Sequence, residues 1–254
     1  MDRVPAAMAA LEDLAGFAAS PVLEARLRRA ANLLPDCEPA EAHIDHPAWA
    51  ALLDVVTIQE TRLFRHPAQS RLAGSLMPAR LVAARTENRP LEMLSAGCAT
   101  GEEAYTLAAQ GMAATETSPG ADIAVLGLDL CRPALAMAEA GAIIQGLGDP
   151  LGLVPIELRP WLSDADGHPR LHPVLRRRMA FRRANLLGGL DKQVFDVIFC
   201  RNVLIYLTDA ARQRVLAGLI KALRPGGILG LGPSDRSPAG LLPQSEAVWV
   251  KPHG

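Results

Sequence analysis

Residues 91–105, Leu-Glu-Met-Leu-Ser-Ala-Gly-Cys-Ala-Thr-Gly-Glu-Glu-Ala-Tyr, constrain this chain more than any other segment. An apolar run from Leu91 to Leu94 enters a loop of small residues with glycines at 97 and 101, and a helical pattern follows from Glu103. Strand, glycine loop and helix in that order place a ligand site at the carboxyl edge of a parallel sheet. Glycine is required where the backbone turns tightly and lets a ligand approach. The G-x-x-x-G spacing is not the G-x-G-x-x-G dinucleotide fingerprint, and no Gly-Lys-Ser/Thr follows to make a phosphate loop.

Two carboxylates, Glu102 and Glu103, stand where a phosphate binder needs amides and a lysine. A ligand without phosphates is therefore expected, and S-adenosylmethionine fits. Strand and helix patterns alternate from Leu91 onward, which predicts a doubly wound α/β domain. The strands are expected at Leu91–Ser95, Ile123–Leu128, Met179–Arg183, Val194–Cys200 and Gly227–Leu231, with a last one at Val248–Lys251. Helices are expected at Glu103–Ala113, Pro133–Ala140 and Asp209–Leu223. Before the sheet, helical patterns cover Ala6–Ala18, Val22–Leu34 and Pro47–Val56, punctuated by Ser20-Pro21. This divides the chain into a helical domain, 1–58, and an α/β domain, 59–254. The span from about 141 to 178 resists the alternation; it is rich in Pro, Gly, Arg and His and is expected to be an inserted subdomain.

Composition narrows the function. With 254 residues, half of them hydrophobic, the chain can bury one sizeable core plus an accessory domain. A net charge of −1 and only 4% aromatic residues argue against a nucleic-acid binder. Cys37, Cys98, Cys131 and Cys200 are dispersed, as reduced thiols of a cytoplasmic protein would be. No H-E-x-x-H motif suggests a metal, no G-x-S-x-G elbow suggests a serine hydrolase, and no apolar run is long enough to span a bilayer. The start, Met1-Asp2-Arg3-Val4-Pro5, has no secretory pattern. Arginines 176–178, with Arg170, Arg182 and Arg183 nearby, are either a solvated face or a dock for an acidic protein surface.

Candidate polar residues sit at strand ends. Asp129 closes the second strand, where a carboxylate can accept both ribose hydroxyls of an adenosine cofactor; the other role open to it is capping the helix that Arg132-Pro133 begins. Asn202 and Tyr206 follow the apolar strand 194–200. They can hold a cofactor and face a transferred methyl, or they can serve as a turn residue and a half-buried core aromatic. Arg224-Pro225-Gly226-Gly227 forms a turn feeding a strand.

Taken together, Thr57–Arg65, Ser95–Glu103, Asn185–Leu187 and Cys200–Tyr206 resemble the chemotaxis receptor glutamate methyltransferase family, CheR-type. The similarity runs from about Thr57 to Arg236. It implies a helical N-terminal domain followed by a Rossmann-like class I methyltransferase domain with a mainly parallel sheet and a small inserted β-subdomain. It further implies transfer of methyl from S-adenosylmethionine to glutamate side chains on the cytoplasmic helical region of chemoreceptors, leaving S-adenosylhomocysteine. By the resemblance, Gln59, Thr61, Arg65, Gly97, Glu102, Asp129, Asn185, Leu186, Asn202 and Val203 bind the cofactor, with Glu103 the alternative to Glu102. Arg65 and Tyr206 orient the substrate glutamate. Gln59 stands at the family's asparagine, Leu63 replaces an aromatic, Cys131 replaces an acidic residue, and Gly232-Pro233-Ser234-Asp235 replaces Gly-His-Ser-Glu. The partners expected are chemoreceptors, with no nucleic acid, no membrane insertion and a monomeric state. The competing reading is a regulatory module that binds adenosylmethionine or adenosylhomocysteine without catalysis.

Overall fold

The computed structural model describes residues 2–36, 42–143, 148–191 and 194–253; Cys37 and part of the expected insert lie outside them. Seven strands form one sheet in the order β3-β2-β1-β4-β5-β7-β6. They are β1 (Leu91–Ala96), β2 (Ile123–Asp129), β3 (Met179–Arg183), β4 (Phe195–Cys200), β5 (Leu223–Leu231), β6 (Leu242–Ser245) and β7 (Val248–Val250). The first five pair in parallel, and β7 pairs antiparallel with β5 and β6. This is a Rossmann-like, mainly parallel sheet. The strand order reverses between β1 and β4, so a crevice opens beyond their carboxyl ends.

The helices are α1 (Val4–Ala15), α2 (Pro21–Arg29), α3 (Pro47–Val56), α4 (Pro67–Thr86), α5 (Glu102–Thr115), α6 (Arg132–Ala140), α7 (Arg159–Leu162), α8 (Pro173–Arg176) and α9 (Asp209–Ala222), of which α4, α5, α6 and α9 pack on the sheet. Alternate strand residues feed two cores, as a sheet covered on both sides requires. Met93, Val197, Phe199 and Ile228 pack under α4 and α5. Leu94, Ile198, Cys200 and Leu229 pack under α9. A third apolar cluster belongs to residues 4–56, where Leu11, Leu27, Trp49, Leu52 and Leu53 meet.

The predicted strands sit where the sequence places them, with three differences. Strand β6 has no alternating signal because all four of its residues are exposed. Strand β5 begins at Leu223, and the predicted turn at 224–227 is a bulge inside it: Phe195 pairs with Leu223 and Val197 with Ile228. The 20-residue α4 is absent from the sequence reading. It contains Pro78, and its buried face carries Gln69, Ser70 and Arg80 among its apolar residues, which breaks the expected periodicity. In the insert, the described residues form a 3-10 turn (Ile156–Leu158), α7, α8 and one isolated bridge between Ser163 and Pro169, with no strand. Prolines at 150, 155, 160, 169 and 173 remove the donors that a ladder needs, so the β character implied for this subdomain is not seen there.

Candidate functional site

A cleft of about 290 Å³ opens at the carboxyl ends of β1, β2 and β4. Its sheet side comprises Gly97 and Ala99 after β1, Asp129 and Leu130 at the end of β2, Asn185–Leu187 after β3, and Arg201–Val203 with Tyr206 after β4. Its other side comes from the helical N-terminal region: Phe17, Ser20, Val22 and Arg26, then Val56 through Glu60.

The loop after β1 is set by its backbone. Gly97 and Ala99 both adopt left-handed φ, +79° and +48°. The Gly97 and Cys98 amides donate to the Leu128 carbonyl at 2.7 and 2.9 Å, stitching the loop to β2. A Cβ on Gly97 would lie 2.3 Å from Cγ2 of Val203, so only glycine fits between β1 and the β4 turn.

Asp129 is held from both sides. Its Oδ2 accepts from the Ala99 amide at 2.8 Å and its Oδ1 from the Cys131 amide at 2.9 Å. Burial raises its pKa, opposed by hydrogen bonds from Cys131, Ala99, Leu130 and Gln59. The cap of α6 comes from elsewhere. Asp54 on α3 accepts from the Arg132 amide at 2.9 Å and from the Arg132 guanidinium at 2.6 Å. Asp129 is thereby spared for the cleft.

After β4, Asn202 takes a left-handed φ of +58°, and its Oδ1 is buried with no hydrogen-bond partner among the described residues. Oε1 of Gln59 is in the same condition, while Nε2 of Gln59 donates to the Thr57 hydroxyl at 3.0 Å. Buried acceptors without donors are costly unless a ligand satisfies them. Tyr206 is just over one-third exposed at the mouth. Asn185 also lines the cleft, but its amide is engaged: Nδ2 donates to the Leu14 carbonyl at 2.6 Å and Oδ1 accepts from the Leu187 amide at 3.0 Å.

Gln59, Gly97, Asp129, Asn185, Leu186, Asn202, Val203 and Tyr206 thus meet around one cleft, whereas Thr61, Arg65 and Glu102 stand outside its wall. Glu102 is buried, and its Oε2 accepts from the Thr100 hydroxyl at 2.7 Å. Arg65 folds its guanidinium onto Glu60, at 2.7 Å from the carbonyl and 3.2 Å from Oε1. Glu103 turns inward, accepting from Ser95 at 2.7 Å and from Nε of Arg201 at 2.7 Å.

Two neighbours of the site carry no role in the sequence reading. Arg201 has its side chain almost fully buried; besides Glu103 it bonds the Arg65 carbonyl and, at 3.2 Å, Oε1 of Gln69. Its sequence signal is a single arginine at the end of an apolar strand, with a glutamate opening α5. His66 starts α4 in left-handed backbone, and its Nε2 is buried without a partner among the described residues. Burial, then Arg201 and Arg65, push its pKa down, opposed by a side-chain interaction with its neighbour Asn202. The buried thiols of Cys98 and Cys200 are pushed well up by burial, away from nucleophilic use.

Half of the arginine cluster is spent on the fold, and Arg170, Arg177 and Arg182 are exposed. Arg176 bonds the Ala140 carbonyl, Arg178 pairs with Asp122, and Arg183 bonds the Leu130 and Ile44 carbonyls. An exposed Asp164–Asp166–His168 group lies in the insert, where Oδ1 of Asp164 is occupied by the amides of Asp166 and His168. Among the described residues, no helix is long and apolar enough to cross a membrane.

The cleft fits an adenosine cofactor: apolar walls from Ile58, Leu130 and Leu186, a carboxylate at the end of β2, and two unsatisfied buried acceptors. Comparison with known proteins agrees. The family model described as CheR methyltransferase, SAM binding domain, matches residues 59–246. A chemotaxis protein methyltransferase of Vibrio parahaemolyticus is 34% identical, over 80% of this chain and 73% of that one. One from Vibrio anguillarum is 35% identical, with the same shares covered. A probable biofilm formation methyltransferase of Pseudomonas putida is 36% identical, over 74% of this chain and 44% of that protein. The cofactor is S-adenosylmethionine.

Proposed function

The chain belongs to the CheR methyltransferase family of S-adenosylmethionine-dependent enzymes, and from that premise we propose that it is a protein-glutamate O-methyltransferase acting on the cytoplasmic helical region of chemoreceptors, in chemotaxis or a related sensory pathway. The observation that carries this reading is the cleft itself. It sets Asp129 and the unsatisfied Asn202 acceptor on the sheet side, the unsatisfied Gln59 acceptor on the facing side, and includes Tyr206 and Glu60, the partner of Arg65, in its lining.

S-adenosylmethionine, when bound, supplies an electrophilic methyl group carried on a sulfonium. Gln59, Gly97, Asp129, Asn185, Leu186, Asn202 and Val203, which line the cleft, would hold it; Thr61, Arg65 and Glu102, outside the wall, would act on it only from behind that lining. The Ala99 and Cys131 amides fix the Asp129 carboxylate, and ribose hydroxyls would donate to it in place of its weaker contacts with Leu130 and Gln59. Arg65 and Tyr206 would orient the acceptor carboxylate. That carboxylate is ionised near neutral pH, so the chain need not provide a strong base. Its task is placement, which can supply on the order of 7–11 kcal/mol of a barrier. The apolar walls exclude water from the reacting groups. In this reading residues 1–58 are a helical domain and residues 59–254 the methyltransferase domain, with its insert at about 141–178; the family match beginning at residue 59 supports that boundary.

The test has two stages. Titration calorimetry with S-adenosylmethionine and S-adenosylhomocysteine should show both binding, the product more tightly. Labelled methyl should then pass to a chemoreceptor cytoplasmic fragment in an alkali-labile form that releases methanol, as a carboxyl methyl ester does. Arg65→Ala should abolish transfer and leave thermal unfolding near wild type. Label that resists mild alkali, or a fully active Arg65→Ala enzyme, would overturn the assignment.

A further inference from the structure

Glu60 offers Arg65 two different groups. Its backbone carbonyl accepts from Nη1 at 2.7 Å, and its side-chain Oε1 lies 3.2 Å from Nη2. The carbonyl is fixed by the chain and sets the direction of the guanidinium. The carboxylate is on a side chain 77% exposed, at the mouth of the cleft, and is free to leave. The Arg65 side chain is far less exposed, at 19%, and Arg201 holds the Arg65 carbonyl from behind. A mobile carboxylate therefore sits on a positioned guanidinium, and it is the same chemical group as the side chain of an acceptor glutamate.

We propose that Glu60 sets the affinity for the acceptor by competing in cis for Arg65. The inference rests on the reading that Arg65 orients the acceptor carboxylate. An incoming glutamate that takes the Nη2 position must displace the Glu60 side chain, while the Glu60 carbonyl keeps Nη1 aimed throughout. The device weakens ground-state grip on the acceptor without removing the positioning group. That favours turnover, because a carboxylate held too firmly before reaction is a carboxylate stabilised in its ground state. An ion pair this exposed is weak, so the competition should amount to about a two- to fivefold factor in affinity.

The experiment measures binding of a synthetic helical peptide, bearing one acceptor glutamate, to full-length protein loaded with S-adenosylhomocysteine. Wild type, Glu60→Gln, Arg65→Ala and the double variant are compared, each checked for a wild-type melting profile. Glu60→Gln keeps the backbone carbonyl and loses only the charge. It should bind the peptide about two- to fivefold tighter, with a matching fall in acceptor KM and no proportional rise in kcat. The gain should vanish in the Arg65→Ala background. Unchanged or weaker binding by Glu60→Gln would overturn the proposal, and so would an equal gain without Arg65, which would mean that Glu60 merely repels an anionic peptide. If the wild-type enzyme leaves the peptide unmethylated, the acceptor reading itself fails and the competition falls with it.

Discussion

Arg201 and Glu103 form the most consequential buried contact near the cleft, and breaking it has a calculable cost. Nε of Arg201 meets Oε2 of Glu103 at 2.7 Å, with the two side chains 1% and 9% exposed. Arg201→Met would leave the Glu103 carboxylate buried with the Ser95 hydroxyl and without its cation. It would also strip a donor from Oε1 of Gln69 and from the Arg65 carbonyl. Removing one member of a buried pair costs about 3–5 kcal/mol. In a chain of this size that corresponds to a Tm about 6–20 °C lower. Replacing both members, as Arg201→Met with Glu103→Met, should recover the part of the loss that comes from the unpaired carboxylate, while Gln69, the Arg65 carbonyl and Ser95 still lack the partners they had. Urea unfolding followed by tryptophan fluorescence reads the cycle, since Trp49 and Trp249 are buried. The double variant, although folded, should transfer methyl poorly, because the segment carrying Arg65 has lost its tie to β4. A single variant that loses less than about 1 kcal/mol, or a double variant less stable than either single one, would refute the reasoning; a fully active double variant would refute the positioning role.

Two further outcomes follow from the geometry. Gly97→Ala must place a Cβ 2.3 Å from Val203 at a φ of +79°; with left-handed backbone costing about 1–2 kcal/mol before the clash is relieved, affinity for S-adenosylhomocysteine should fall at least roughly tenfold, and unchanged calorimetric affinity would separate this loop from cofactor binding. His66 has its pKa lowered by burial and by Arg201 and Arg65, so as pH drops below its ordinary value of about 6.5 the unfolded chain takes up a proton before the native one does. Native stability should therefore be complete above that pH and decline as pH falls toward the native pKa, then level off. The urea midpoint of wild type should drop between pH 7.5 and 5.5 more than that of His66→Gln, and parallel curves would contradict the argument.

The parallel sheet was legible because its strands are apolar on both faces and its helices open on recognisable caps and prolines. Val197, Ile198, Phe199 and Cys200 are all buried, two toward each core, and a continuous apolar run of this kind is the expected mark of a central parallel strand. Helix α4 was illegible for the opposite reason. Gln69 is buried because its amide donates to the Leu231 and Ala247 carbonyls, and Arg80 because it pairs with Asp196. A helix whose inner face mixes polar with apolar residues has a blurred amphipathic signature, and the partners of Gln69 and Arg80 lie more than a hundred residues away. The exposed β6 failed in the same way, its pairing with β7 being a backbone property with no side-chain pattern to announce it.

The site divides along the same line. Strand-end residues such as Asp129 and Asn202 could be found because a strand fixes where its last residue points. What the sequence withheld is the company they keep. The Thr208 amide donates to the Gly16 carbonyl and the Ala18 amide to the Tyr206 carbonyl, both at 2.8 Å, and Phe17 bridges Leu207. These are main-chain bonds between segments nearly two hundred residues apart, made by groups every residue possesses. Through them the helical N-terminal region forms one wall of the cleft and holds the turn bearing Tyr206. A polar residue can be nominated from its strand, but its chemical role depends on which donors and acceptors the fold leaves unspent. Asn185 and Asn202 show the difference. Both follow strands and both line the cleft, yet the Asn185 amide is used up on Leu14 and Leu187, whereas the Asn202 carbonyl oxygen makes no well-formed hydrogen bond among the described residues and has the His66 imidazole as its neighbour. A ligand gains more from the second than the first, so Asn202→Ala should weaken cofactor binding by removing a contact, and Asn185→Ala chiefly by loosening the wall.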